Sequence, residues 1–151
     1  MSDSTIARPG SGLVAAAALL APPVAWALAS AGYGLPIDRP TADLAWLAAG
    51  AVAEEVVFRG GLQHWALTRP ALAVRHAGLS RANLLASAAF AAVHLVNHAP
   101  LVALGVLPVS LLLGAVYERS GRLRGPIALH LWFNACLYAA TAALAAPGTT
   151  G

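Results

Sequence analysis

The amino-acid sequence predicts an all-α fold, a polytopic membrane helix bundle with about five transmembrane helices. Hydrophobic residues make up 59% of the 151 residues, charged residues only 10%, and the mean hydropathy is +0.71. A soluble domain of ordinary composition carries about 25% charged residues, so this shortage indicates lipid as the surrounding solvent. The apolar residues also gather in runs long enough to cross the hydrocarbon core of a bilayer.

Five apolar runs follow one another along the chain, and each is expected to form a helix. The first contains Pro22 and Pro23, which should kink or break its helix because proline lacks a backbone donor and clashes with the preceding turn. The third run is short, and the fourth contains Pro108. The runs cover residues 11–33, 42–66, 82–97, 101–117 and 126–146.

Three parts follow from these runs: an N-terminal tail with the first transmembrane helix (1–41), a helical membrane core (42–146) and a C-terminal tail (147–151). The first run also resembles a signal peptide, with Arg8 before the apolar centre and the small residues Ala27 and Ala29 behind it. A retained helix is favoured over a cleaved one, because the apolar stretch is long and carries prolines in its middle.

The arginines predict the orientation in the membrane. With five spans, one side receives seven loop arginines and the opposite side only Arg39, an imbalance that places the N-terminus in the cytoplasm. The expected location is the inner (plasma) membrane. Because the arginines are scattered among short loops, they form no basic face for nucleic acid, and the lipid bilayer is the expected partner. The seven are Arg8, Arg69, Arg75, Arg81, Arg119, Arg122 and Arg124.

Three charged residues, Glu54, Glu55 and Arg59, interrupt the second apolar run. Each charge at bilayer depth costs about 2.5 to 3.5 kcal/mol by insertion scales, so such residues usually face a protein interior or a cavity. Glu55 and Arg59 are four residues apart and can form an ion pair, and a direct part in catalysis is the alternative, so both count as candidate catalytic residues. Glu54 lies about 100° around the helix from Glu55. We therefore expect Glu54 to face a cavity, where a carboxylate can act as a general base or acid.

Two later runs also carry polar faces. His94 follows Phe90 by four residues in the third run, and Asn134 follows His130 by four in the fifth. A buried imidazole near a carboxylate can bind metal, share a proton or donate to an oxyanion. Each group also has a structural alternative, as an ion pair or as a hydrogen bond between helices. The predicted spans leave His94 and His130 at depths that differ by roughly 12 Å.

Glu-Glu-x-x-x-Arg, Phe-x-x-x-His and His-x-x-x-Asn, in this order on separate apolar runs, resemble the CAAX-type (CPBP family) intramembrane endopeptidases over residues 42–146. The resemblance implies a proteolytic core in which Glu54 and His94 activate water. His130 and Asn134 would then stabilise the oxyanion or help to hold a metal. Whether a cofactor is bound stays open, and Zn²⁺ is the candidate, with the set Glu54, His94 and His130 as its ligands.

The compact size looks most like short bacterial members of that family, which process C-terminal sorting signals. The resemblance therefore implies a membrane-anchored protein or peptide as substrate, cut near its C-terminal membrane segment. One competing hypothesis is a non-enzymatic membrane interaction or immunity protein whose polar groups only lock helices together. A small proton-coupled carrier is another, although no inverted repeat is visible to favour it.

Overall fold

A computed structural model describes residues 11–33, 35, 37, 40–96 and 98–146 of the chain. Within these residues the protein is a helical bundle with a small antiparallel hairpin, which confirms the predicted all-α class. Arg8, Arg39, Asn97 and the tail 147–151, which entered the sequence predictions, lie outside the described residues. The elements are α1 (Ser11–Ser30), α2 (Pro40–Glu55), a π-helix (Val56–Gln63), α3 (His64–Leu67), α4 (Pro70–Ala73), β1 (Arg75–His76), β2 (Leu79–Ser80), α5 (Arg81–His94), α6 (Pro100–Ser120) and α7 (Arg124–Ala145).

Among the described residues, three helices are long and apolar enough to cross a membrane: Gly12–Ser30, Pro100–Ser120 and Arg124–Ala145. The second predicted run forms α2, the π-helix and α3 in succession. The third forms α5, whose 14 residues extend about 21 Å, less than the thickness of a hydrocarbon core. The membrane setting thus rests on three helices, and the number of five spans stays a prediction.

Helix α1 continues through Pro22 and Pro23, so the break that was predicted there does not occur. Pro22 has no N–H to donate to the carbonyl of Ala18 four residues earlier. The indole Nε1–H of Trp132 in α7 donates to that carbonyl instead, at 3.0 Å. A neighbouring helix thus satisfies the freed backbone group, which is how helix bundles in membranes tolerate proline.

Glycines in α6 allow two other helices to approach its backbone. A Cβ at Gly114 would lie 2.0 Å from Asn83 Oδ1 of α5, and a Cβ at Gly105 would lie 2.5 Å from Leu28 Cδ2 of α1. Asn83 is fully buried and donates from Nδ2 to the Leu111 carbonyl at 2.9 Å. The small residues therefore set a close contact between helices, as is usual in membrane bundles.

Three buried polar side chains and the exposed Arg75 join the π-helix, the hairpin and α6 at one end of the bundle. Gln63 Nε2 donates to Glu118 Oε1 at 2.9 Å and to the Gly114 carbonyl at 3.1 Å. The hydroxyl of Ser80 donates to the same oxygen of Glu118. Arg75 Nη2 lies 2.6 Å from Glu118 Oε2. We call Gln63, Arg75, Ser80 and Glu118 the Glu118 network.

The segments after α1 and α5 meet each other. The rings of Tyr33 and His98 stack with centroids 4.4 Å apart and planes inclined by 19°. Tyr33 follows the end of α1, and His98 lies between α5 and α6. The connections α1–α2 and α5–α6 therefore lie together, whereas the hairpin and the end of α6 meet in the Glu118 network.

Candidate active site

Glu55 and Arg59 form the predicted ion pair. Arg59 Nε lies 3.1 Å from Glu55 Oε2, and both side chains are fully buried. Arg59 also donates from Nη2 to Ser110 Oγ of α6 at 2.9 Å, and its guanidinium carbon lies 5.7 Å from the centre of the Phe90 ring. Glu55 is the last residue of α2, and Arg59 lies in the π-helix that follows. Short π-helices are often found at functional sites. These contacts offset part of the desolvation of both charges, join α2 to the π-helix and hold the π-helix against α6.

His130 lies between the two glutamates. Its Nδ1 is 2.9 Å from Glu55 Oε1, and its Nε2 is 3.6 Å from Glu54 Oε2. Because an ionised carboxylate only accepts hydrogen bonds, the hydrogen-bond pattern assigns a hydrogen to Nδ1. Glu54 differs from Glu55 in exposure, since 39% of its side chain is accessible and Glu55 is fully buried. One glutamate therefore orients the imidazole, and the other faces open space.

His94 is the last residue of α5 and is oriented by its own helix. Its Nδ1 lies 2.9 Å from the carbonyl oxygen of Phe90. A carbonyl can only accept, so Nδ1 carries the hydrogen and Nε2 of the neutral ring carries a lone pair. The ring of Phe90 lies 4.5 Å from that of His94 and 6.0 Å from that of His130. Phe90 thus fills the space between the two imidazoles.

Glu54, His94, His130 and Asn134 line one cavity of about 140 Å³, together with Tyr33. The rings of His94 and His130 both lie within 6.0 Å of the Phe90 ring, so they are closer together than the depth difference of their predicted spans implies. The predicted spans assumed that the two helices begin at the same depth, whereas α5 ends at His94 and α7 continues past His130 to Ala145. Asn134 is one helical turn beyond His130 and shares its face. Within the described residues, the carboxamide of Asn134 makes no hydrogen bond.

A second cavity adjoins the first, because both include His94, His130, Asn134 and Tyr33. Its remaining walls are apolar and come from α1, α5, α6 and α7. These apolar residues are Ala25, Leu28, Phe90, Val106, Val109, Leu113, Phe133 and Leu137. The polar groups therefore stand at the edge of an apolar space, as in ligand-binding cavities generally.

Two residues at or behind the site were missed by the sequence analysis. Ser110 accepts from Arg59, but a single serine in an apolar run gives no positional signal. Tyr33 lines the cavity. The feature of the sequence that could have indicated its position is Gly32, because a glycine after a helix predicts a defined C-terminal cap. Both contacts depend on how distant helices pack.

Glu54, His94 and His130 are the residues that the sequence offered as zinc ligands. Within the described part of the chain, no three His, Cys, Asp or Glu side chains lie close enough to hold a metal ion. Structural and catalytic zinc sites take three or four protein ligands at about 2.0 to 2.3 Å. In this arrangement Glu54, His94 and His130 therefore do not make the three-ligand set that a zinc ion requires.

The family described as type II CAAX prenyl endopeptidase Rce1-like matches residues 38–136, about two thirds of the chain. The six residues singled out in the sequence, from Glu54 to Asn134, all fall within this range. No curated protein matches the chain, and no solved structure does. Together with the buried polar site and the apolar helices, the match leads to one conclusion. The chain belongs to the Rce1-like family of CAAX-type endopeptidases, proteases that sit in a membrane and act on protein substrates.

Proposed function

We propose that the protein is an intramembrane endopeptidase that hydrolyses a peptide bond near the C-terminal membrane segment of a membrane-anchored protein or peptide. One observation carries this proposal: Glu54, His94, His130 and Asn134 line a single cavity. Glu55 and Arg59 lie buried behind it and hold the helix that carries Glu54. The four residues that line the cavity can therefore reach a substrate, whereas Glu55 and Arg59 position them.

Glu54 and His94 are the proposed water-activating pair. Glu54 has an accessible carboxylate, and His94 directs its hydrogen to Phe90, which leaves Nε2 as an acceptor. As a water oxygen attacks the scissile carbonyl carbon, one of these groups takes the proton from that water. The proton then passes to the departing amine as the carbon–nitrogen bond breaks. General base and acid catalysis of this kind contributes roughly 10²- to 10⁴-fold in rate.

His130 and Asn134 are the proposed donors to the oxyanion. The side chains share a face of α7, and the Asn134 carboxamide carries two N–H groups toward the same cavity as Glu54. His130 already donates from Nδ1 to Glu55, so it donates from Nε2 only when the ring carries both protons. Donors fixed in advance at the developing negative charge are each worth about 10²- to 10³-fold in kcat.

The substrate class is proposed from the cavity walls. The apolar residues beside His94 and His130 suit an apolar peptide segment, such as the edge of a membrane helix. Among proteins of this kind we favour those with a C-terminal sorting signal, in which a short motif precedes a membrane helix and basic residues. The enzyme would act from the inner (plasma) membrane, with its N-terminus in the cytoplasm.

The Glu54→Gln variant tests the proposal. Purified full-length protein in lipid vesicles should cleave a membrane-anchored protein with such a tail, and Glu54→Gln should lose at least 10²-fold in rate while it stays folded. Glu118→Gln is the matched control, because it makes the same chemical change in the Glu118 network, away from the cavity. Cleavage by Glu54→Gln at the wild-type rate would overturn the proposed role. A folded wild-type protein that cleaves no such tail would favour the interaction protein instead.

A further inference from the structure

Tyr33 lies in the cavity of the proposed endopeptidase. It lines the space that holds Glu54 and also the apolar cavity beside it. The residue is only 9% exposed. Tyr33 precedes the range 38–136 that matches the family, and it belongs to none of the three motifs. The three motifs therefore assign no role to Tyr33.

The end of α1 fixes where Tyr33 lies. Gly32 has φ of +93°, a conformation that favours glycine. The Gly32 N–H donates to the Ala29 carbonyl at 3.1 Å, and the Tyr33 N–H donates to the Leu28 carbonyl at 3.0 Å. This pair of bonds is a Schellman motif, which commonly brings the residue after the glycine into contact with the last helical turn. Tyr33 and Leu28 pack in one hydrophobic cluster, so Tyr33 is held by the helix end.

The hydroxyl of Tyr33 is available as a donor. One face of the ring is covered by His98, at 4.4 Å between centroids. Within the described residues the hydroxyl makes no hydrogen bond. Burial, together with the charge of the nearby Glu54, raises the pKa of Tyr33 to about 12. The phenol therefore keeps its proton across the neutral range and cannot serve as a base there.

We propose that Tyr33 is a further catalytic residue, whose hydroxyl donates a hydrogen bond to the scissile carbonyl oxygen as negative charge develops on it. This inference rests on the proposed endopeptidase function. Tyr33 shares its cavity with His130 and Asn134, so three donors from α7 and the end of α1 surround the reacting carbonyl. The first helix then contributes to the chemistry as well as to the packing.

The Tyr33→Phe variant removes only the hydroxyl. It keeps the ring that stacks on His98 and the backbone bonds of the helix end. We expect kcat to fall on the order of 10²-fold, with a much smaller change in KM, because the lost bond forms mainly in the transition state. Tyr117→Phe is the matched control, since its hydroxyl bonds His64 at 3.1 Å and does not line either cavity. This control should keep the wild-type kcat.

Thermal unfolding of the same purified proteins separates chemistry from packing. We expect the unfolding midpoint of Tyr33→Phe to match that of the wild type. A kcat within about twofold of wild type would overturn the inference, and so would a loss of kcat that simply follows a lower unfolding midpoint. If the wild type cleaves and Tyr33→Phe cleaves equally well, only the role of Tyr33 fails. If the wild type does not cleave at all, the proposed function fails and the role of Tyr33 falls with it.

Discussion

Glu55 has two partners on different helices, Arg59 one turn along its own chain and His130 on α7. Its neighbour Glu54 makes the longer contact with His130, at 3.6 Å, and keeps 39% of its side chain accessible. The two residues are identical in chemistry and adjacent in sequence. Their difference arises because successive residues point about 100° apart on a helix. At the scale of the residue, burial and partners thus distinguish a buried, paired glutamate from an accessible one, and the proposed function assigns the chemistry to the accessible one.

Removal of both buried charges should cost less stability than the sum of the two single removals. Glu55→Ala and Arg59→Ala each leave an uncompensated charge in the interior, with an expected loss of about 3 to 5 kcal/mol in the free energy of unfolding. The double variant should lose less than the sum of the single variants, which unfolding measurements on the three purified proteins would test. Normal stability of Glu55→Ala, combined with abolished cleavage, would instead give Glu55 a direct part in the reaction.

Removal of metal ions tests whether Glu54, His94 and His130 hold a zinc ion that cleavage requires. Because Glu54, His94 and His130 do not form a three-ligand group here, we expect cleavage to survive treatment with a chelator. Metal analysis of the purified wild type, Glu54→Ala and His94→Ala provides the check. About one zinc per chain that both substitutions remove would contradict this expectation and identify a metalloprotease.

At the scale of the element, neighbouring helices complete one another. The carbonyl that Pro22 frees in α1 accepts from Trp132 of α7. The π-helix is joined to α6 at its start through Arg59 and Ser110, and at its end through the Glu118 network. An irregular helix with two adjacent glycines, Gly60 and Gly61, is thereby anchored on both sides of its irregular turns. Proline in α1 and the two glycines in the π-helix destabilise these helices locally, and contacts with neighbouring helices stabilise them.

A pair of substitutions tests the replacement of the missing proline donor. Trp132→Phe should destabilise the protein by about 1 to 3 kcal/mol, because it leaves the Ala18 carbonyl of an apolar membrane helix without a partner. Pro22→Ala supplies a backbone N–H to that carbonyl and should recover much of the loss when combined with Trp132→Phe. Unfolding midpoints of the two single variants and the double variant would measure this coupling. Equal effects of Trp132→Phe with proline or alanine at position 22 would show that the lost ring, and not the hydrogen bond, matters.

At the scale of the whole molecule, contacts between connections match the alternating order of helices that the arginine count assumes, while the orientation in the membrane stays a prediction. Tyr33 and His98 stack, which joins the connections α1–α2 and α5–α6. Arg75 and Glu118 pair, which joins the hairpin to the end of α6. These are the pairings that alternating membrane crossings require. The cavity includes Tyr33 and Leu35, so it extends toward the end that has few arginines. If the N-terminus is cytoplasmic, the substrate reaches the cavity from the opposite side of the membrane.

Cysteine labelling in intact cells tests this orientation. Ala99→Cys and Ser120→Cys, each in a Cys136→Ser background, report on the connection α5–α6 and on the end of α6. We expect a membrane-impermeant thiol reagent to label Ala99→Cys from outside, and to label Ser120→Cys only after the membrane is opened. Both variants should be labelled in opened membranes, which shows that the reagent can reach each cysteine. Cys136→Ser without an added cysteine should not be labelled, which shows that the labelling is specific. The reverse pattern would invert the predicted topology.

The sequence by itself determined the helical class, the apolar helices, the Glu55–Arg59 pair and the family to which the motifs point. These features depend on hydropathy and on spacings of a few residues, and such spacings translate directly into positions on one helix. Only the tertiary structure decided that His130 bridges two glutamates 75 and 76 positions away along the chain, or that Trp132 compensates for a proline in α1. The same holds for Tyr33, which enters the cavity from beyond the motif region. The physical reason is that local periodicity fixes which side of a helix a residue occupies, whereas the packing of whole helices fixes which distant residue it meets.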